Sequence, residues 1–121
     1  MPIKNILIVD DSPTDRQHLT DMLAKAGYKV TGAASAEEAI AKVKQAKPDL
    51  VLMDVVMPGQ NGFQATRALA TDEATKHIPI IIVSTKAQET DKVWGLRQGA
   101  KDYVVKPVKA GELLAKIAAL G

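Results

Sequence analysis

Short apolar runs alternate with helical periodicity along the whole chain. Ile6-Leu7-Ile8-Val9 is continuous and ends in Asp10-Asp11. Ser12-Pro13 then reads as a helix start, with the serine at the N-cap and the proline at the first helical position. Leu19, Met22, Leu23 and Ala26 follow at the spacing of a buried helical stripe, and Gly27 closes the helix. Tyr28-Lys29-Val30-Thr31 alternates, as a strand with one exposed side does. Ser35-Ala36-Glu37-Glu38 predicts a capping box in which Glu38 reaches back to the Ser35 amide. Ile40 and Val43 supply the stripe of that helix, and Pro48 comes after its end. Leu50-Val51-Leu52-Met53 is again continuous and ends in Asp54. Pro58-Gly59 and Asn61-Gly62 are loop signals ahead of a helix through Phe63, Thr66 and Leu69. Ile80-Ile81-Ile82-Val83 ends in Ser84, and a helix carrying Val93, Leu96 and Ala100 stops near Gly99. Tyr103-Val104-Val105 ends in Lys106-Pro107, and Leu113, Leu114, Ile117 and Leu120 form the last helix.

This is β-α repeated five times, which predicts an α/β protein with helices on both faces of a parallel sheet. The runs at 6–9, 50–53 and 80–83 are apolar on both sides, as interior parallel strands must be. Those at 28–31 and 103–105 are shorter or alternate, as edge strands do. Three central and two edge strands suit one doubly wound, five-stranded parallel sheet of order 2-1-3-4-5, the flavodoxin-like (βα)5 arrangement. Residues 1–121 are expected to form a single domain, since the length matches one domain and neither repeats nor low-complexity stretches divide it.

Composition narrows the function. With 16 Lys+Arg against 14 Asp+Glu the net charge is +2, too balanced for a nucleic-acid footprint, and Tyr28, Phe63, Trp94 and Tyr103 are too scattered to form base-stacking platforms. There is no cysteine, which excludes disulfide scaffolds, zinc ribbons and thiol catalysis. The apolar runs are far too short for a membrane span, and no signal peptide fits the start, so a cytoplasmic protein without membrane insertion is expected.

In such a sheet ligands bind beyond the carboxyl ends of the strands, where the strand order reverses. The residues predicted there are Asp10, Asp11, Asp54, Ser84 and Lys106. Two carboxylates about 5 Å apart repel by roughly 3 kcal/mol at an effective dielectric of about 20, and three pairs by roughly 10 kcal/mol, more than one lysine offsets. Clustered oxygen ligands without His or Cys favour a hard divalent ion, Mg²⁺ first, with Mn²⁺ able to substitute. A carboxylate beside that ion, with a hydroxyl and an ammonium aimed at the same point, suits phosphoryl transfer. Asp54 is then the nucleophile, Asp10 and Asp11 hold the metal, and Ser84 and Lys106 meet the phosphoryl oxygens.

These residues resemble the response-regulator receiver domains of two-component signalling, the CheY-like family, over essentially the whole chain. The resemblance rests on Asp10-Asp11 after an apolar strand, Asp54 followed by Met57-Pro58-Gly59 and Gly62, the hydroxyl of Ser84, and Lys106-Pro107. Stretches 56–67 and 84–100 are most similar to stand-alone regulators of chemotaxis-like systems that control type IV pili and twitching motility. The resemblance implies phosphorylation of Asp54 by a histidine kinase and a metal ligand from the Val56 backbone carbonyl. It implies a switch in which Ser84 moves toward the phosphoryl group and Tyr103 turns inward, and a cis peptide bond at Lys106–Pro107. The altered surface comprises the helix at 88–99, the strand at 103–105 and the last helix, and a downstream protein binds there. The chain stops one helix after Lys106, so no attached output domain is expected and output goes through a partner in trans or is absent; a monomer is expected.

Val56 and Lys86 depart from many relatives, which carry a polar residue at the first position and sometimes an acid at the second. Both side chains are expected to overhang the phosphoryl group and tune its lifetime. Read alone, Asp10 and Asp11 are helix caps, Ser84 an N-cap, and Tyr103 and Trp94 packing residues. A flavin or nucleotide carrier on this fold would want a phosphate-cradling loop after the first strand, where Asp10-Asp11-Ser12-Pro13 repels phosphate. An aspartate-nucleophile phosphatase would want a second Asp at position 56, which is Val. A phosphate sink without an output partner has the same sequence signature as an effector.

Overall fold

The computed structural model describes residues 2–56 and 61–120. The Pro58-Gly59 turn and the Met57-Pro58-Gly59 motif lie outside the described residues. The elements run β1 (Asn5–Val9), α1 (Pro13–Lys25), β2 (Lys29–Ala33), α2 (Ala36–Ala46), β3 (Leu50–Met53), α3 (Gly62–Thr71), β4 (Ile80–Ser84), α4 (Glu89–Arg97), β5 (Asp102–Val105) and α5 (Ala110–Leu120). The strands are parallel and ordered β2-β1-β3-β4-β5, as the run types predict.

Alternation along the interior strands divides the core into two layers. Ile6, Ile8, Leu50, Leu52, Ile81 and Val83 point to one face, where α1 (Leu19, Leu23) and α5 (Leu113, Ile117) cover them. Leu7, Val9, Val51, Met53 and Ile80 point to the other, against α2 and α3. A smaller cluster of Val55, Ile82, Ala100 and Tyr103 lies toward β5. No helix among the described residues is long and apolar enough to cross a membrane.

The local signals hold with corrections. Ser12 caps α1 through the Asp15 amide, and Gly27 adopts a φ of +96° just past the helix end, a conformation that favours glycine. β2 begins at Lys29 rather than Tyr28 and runs to Ala33, because it pairs with the full length of β1. Ser35 caps α2, but the Glu38 carboxylate accepts from the Ala34 amide, one residue beyond the Ser35 amide that a capping box specifies. Gly62 is not loop: Asn61 is the N-cap of α3 and Gly62 its first residue. The largest correction concerns α4. Val93 and Leu96, which have the spacing of a buried stripe, are exposed with Trp94, and the helix buries Gly95 instead. A Cβ at Gly95 would come within 2.7 Å of Ile82 Cδ1 and 3.2 Å of the Tyr103 ring, so α4 sits on the sheet through the absence of a side chain.

Candidate functional site

β1 and β3 are neighbours, and β2 returns to the far side of β1, so the strand order reverses between the ends of β1 and β3. Backbone bonds fix that rim. The Asp10 amide donates to the Ala33 carbonyl at 3.0 Å and the Asp54 amide to the Val9 carbonyl at 2.9 Å. The Asp10 carboxylate also accepts from the Ser12 amide at 2.9 Å, and its carbonyl from Arg16 Nη1 at 2.7 Å. Gly62 sets the second wall: a Cβ there would fall 2.1 Å from the Asp54 carbonyl oxygen, so any other residue would push α3 away from the β3 end. At β5, the Lys106 amide donates to the Ser84 carbonyl at 2.8 Å, and the Lys106–Pro107 peptide is cis.

The side chains converge. Asp10, Asp11 and Asp54 present ligand atoms that all lie within 4.8 Å of one another, with Asp10 and Asp54 buried and Asp11 exposed. Lys106 Nζ donates to Asp10 Oδ2 at 2.6 Å and to Asp15 Oδ2 at 2.9 Å, and stands 3.7 Å from Asp54 Oδ2. Burial pushes the Asp54 carboxyl up to about 6, against the Val56 amide bond and the Lys106 charge that favour its ionised form, while the neighbouring Asp10 charge adds to the rise. Burial works to lower the Lys106 ammonium, but the bonds to Asp10 and Asp15 and the Asp54 charge outweigh it and hold that pKa above its ordinary value. Three hard oxygen donors with no nitrogen or sulfur fit a small divalent cation such as Mg²⁺.

Ser84 and Tyr103 meet through one residue. Ser84 is fully buried, and its Oγ accepts from the Lys86 amide at 3.2 Å. Tyr103 Oη donates to the Lys86 carbonyl at 2.7 Å, and the ring is buried. Burial raises the Tyr103 phenol above its ordinary range, with the neighbouring Ser84 hydroxyl working against that rise. The ring lies inward, packed with Val55, Ile82 and Ala100. The Val56 amide donates to Asp54 Oδ1 at 3.1 Å, and the Val56 and Lys86 side chains are exposed at the rim. Sequence reasoning missed Asp15. An acid in the first turn of a helix is explained by the helix dipole alone, and nothing in one dimension ties it to a lysine 91 residues away.

A cluster of three acids beside a lysine, at the strand-order reversal of a doubly wound sheet, defines a class, and comparison with known proteins agrees. The chain belongs to the response regulator receiver domain family, which matches residues 6–118. It is 59% identical to Protein PilH of Pseudomonas aeruginosa over 115 residues, covering 95% of each chain. It is 41% identical to the phosphate regulon transcriptional regulatory protein PhoB of the same organism, but spans only 51% of that protein's length. Its fold matches that of the chemotaxis protein CheY4 of Vibrio cholerae with a TM-score of 0.91 and 34% identity, covering 98% of this chain and 99% of that one. This is a signalling family rather than one of metabolic enzymes. Its members work with a histidine kinase as phosphodonor and a downstream partner, and bind Mg²⁺ in an acidic pocket of this kind.

Proposed function

We propose that residues 1–121 act as one receiver domain, a cytoplasmic monomer whose Asp54 accepts a phosphoryl group from the phosphohistidine of a histidine kinase. One observation carries the reading: Asp54 is a buried carboxylate facing two other acids and a lysine at the strand-order reversal. An Asp54 oxygen bonds to phosphorus as the phosphorus–nitrogen bond to the donor imidazole breaks, and the imidazole leaves with that electron pair. With a pKa of about 6 the carboxyl is mostly ionised at neutral pH and needs no general base. Asp10, Asp11, Asp54 and the Val56 carbonyl would hold Mg²⁺, which when bound neutralises charge on the phosphoryl oxygens. Lys106 meets a second oxygen.

Modification replaces a single negative charge by roughly −1.5 to −2, which draws in a hydroxyl and an ammonium. Ser84 Oγ can donate to the phosphoryl group while still accepting from the Lys86 amide, so its shift toward that group pulls on Lys86, whose carbonyl anchors Tyr103. That chain of bonds carries the change to the surface formed by residues 88–99, 103–105 and the last helix, where exposed Val93, Trp94 and Leu96 offer an apolar contact for a downstream protein. The similarity to PilH supports a place in type IV pilus and twitching-motility signalling.

The test is Mg²⁺-dependent labelling by acetyl phosphate, from which acetate departs as the Asp54–phosphorus bond forms. Wild type is expected to take up label with Mg²⁺ or Mn²⁺ and not with a chelator, and Asp54→Asn to take up none. Label retained by Asp54→Asn rejects the assignment. Val56→Asn with Lys86→Glu is expected to change the rate at which label is lost by about threefold or more, because both side chains border water's approach to phosphorus. An unchanged decay rate removes Val56 and Lys86 from the account.

A further inference from the structure

Lys106 has three ammonium protons and three carboxylates around it, and it does not share itself evenly. Asp10 Oδ2 lies at 2.6 Å and Asp15 Oδ2 at 2.9 Å, both hydrogen bonds, whereas Asp54 Oδ2 at 3.7 Å is beyond hydrogen-bond range. The nucleophile of the proposed reaction is thus the acid that the lysine serves least. We propose that Asp15 is a positioning residue that holds the Lys106 ammonium off Asp54 in the resting protein and releases it when a phosphoryl group arrives.

Asp15 is placed for that role. It is the third residue of α1, and the Ser12 amide that a capping-box acid would accept from already donates to Asp10 Oδ1 at 2.9 Å, so its carboxylate is not consumed in capping. Its carboxylate does not belong to the Asp10–Asp11–Asp54 group whose ligand atoms converge, so its tie is to the lysine rather than to the metal position. The two holds on Lys106 also differ in kind. Asp10 is buried, with a side chain 2% exposed, and stays with the lysine, while the Asp15 side chain is 46% exposed and water can replace its half of the pair. Exposed pairs of this sort are weak and easily exchanged. An arriving phosphoryl oxygen carries more charge than Asp15 and lies on the side of Asp54, so the exchange favours the modified state. Asp15 therefore sets how readily the phosphorylated arrangement forms.

The inference rests on the phosphoacceptor reading, and labelling by acetyl phosphate at saturating Mg²⁺ tests both separately. Absence of wild-type label defeats the parent reading. With wild type labelled, Asp15→Asn is expected to incorporate label about two- to fivefold faster, the worth of a half-exposed ion pair. Asp15→Glu, which keeps charge and reach, is expected to stay near wild type, and so is Asp21→Asn, which removes a charge from the same helix away from the site. A general easing of repulsion toward the anionic donor would also accelerate Asp15→Asn. The double variant with Lys106→Met separates the two, because acceleration through the lysine disappears there and easing of repulsion persists. Asp15→Asn that folds with unchanged melting temperature and labels no faster, or whose acceleration survives Lys106→Met, overturns the proposal. Asp15→Ser gives the same reading should the Asn variant be unstable.

Discussion

Leu52 and Asp54 are two residues apart at the end of one strand, and their surroundings could hardly differ more. Leu52 is 1% exposed, in an apolar cluster with Ile6, Ile8, Leu19, Leu50 and Leu113. Asp54 is 6% exposed among two other carboxylates, an ammonium and an amide. The strand bodies of β1, β3 and β4 hold the sheet together by removing hydrocarbon from water, and their carboxyl ends spend part of that stability on a buried, like-charged cluster. The two regions therefore predict opposite signs for mutation. Truncating a body residue weakens the fold, and neutralising Asp54 strengthens it while abolishing function.

The largest effect is expected from Leu52→Ala, which leaves a cavity between the sheet and the α1–α5 layer. Urea denaturation should show a loss of about 2–5 kcal/mol. A loss under about 1 kcal/mol would mean that the strand body relaxes into the space and is not the rigid platform supposed here.

Asp54→Asn should move stability the other way, with a pH signature. The native Asp54 carboxyl titrates at about 6, above its ordinary 3.8, so the folded state holds this proton more tightly than the unfolded chain does. The stability it confers is complete below about pH 4 and is lost as pH rises through about 6. A shift of about two pH units corresponds to on the order of 3 kcal/mol. In a chelating buffer Asp54→Asn should lack that decline and be more stable than wild type at pH 7 by on the order of 2–3 kcal/mol. Denaturation curves at pH 4.5 and pH 7 check it, and a variant equal to or weaker than wild type at pH 7 would break the contrast between strand body and strand end.

The same contrast explains what could be read in the residues alone. Continuous runs such as Leu50–Met53 have one physical meaning, a strand covered on both faces, and with the two weaker runs set at the edges they suit the order of the doubly wound fold. The acids at the ends of those runs follow from the fold rule that places sites beyond strand ends, which is why Asp10, Asp11, Asp54, Ser84 and Lys106 were legible together. Asp15 was not, because its partner is fixed by tertiary approach and its local explanation is sufficient. Nor was the orientation of α4: Val93 and Leu96 have the spacing of a buried stripe, but Gly95 occupies the contact with Ile82 and Tyr103. The available signal was the glycine itself, since one inside a helix costs about 1 kcal/mol and calls for a reason such as close approach.

That orientation of α4 yields the smallest effect, and it separates apolar residues that hold the fold from those that do not. Trp94 is the largest apolar side chain on the helix and is 53% exposed, with Val93 and Leu96 exposed beside it. An indole buried like Leu52 would cost about 3–5 kcal/mol on truncation to alanine. Here the ring is half exposed, and α4 meets Ile82 and Tyr103 through Gly95, so Trp94→Ala should change stability by no more than about 0.5 kcal/mol. Circular dichroism is the appropriate monitor, because the substitution removes the only tryptophan. A loss above about 1 kcal/mol would show that the ring folds back onto the domain and that the apolar face of α4 is core rather than contact surface. A neutral result, with Asp54 labelling unaltered, leaves the indole free for a partner. The strand bodies then account for the fold, the strand ends for the chemistry, and the outer face of α4 for neither.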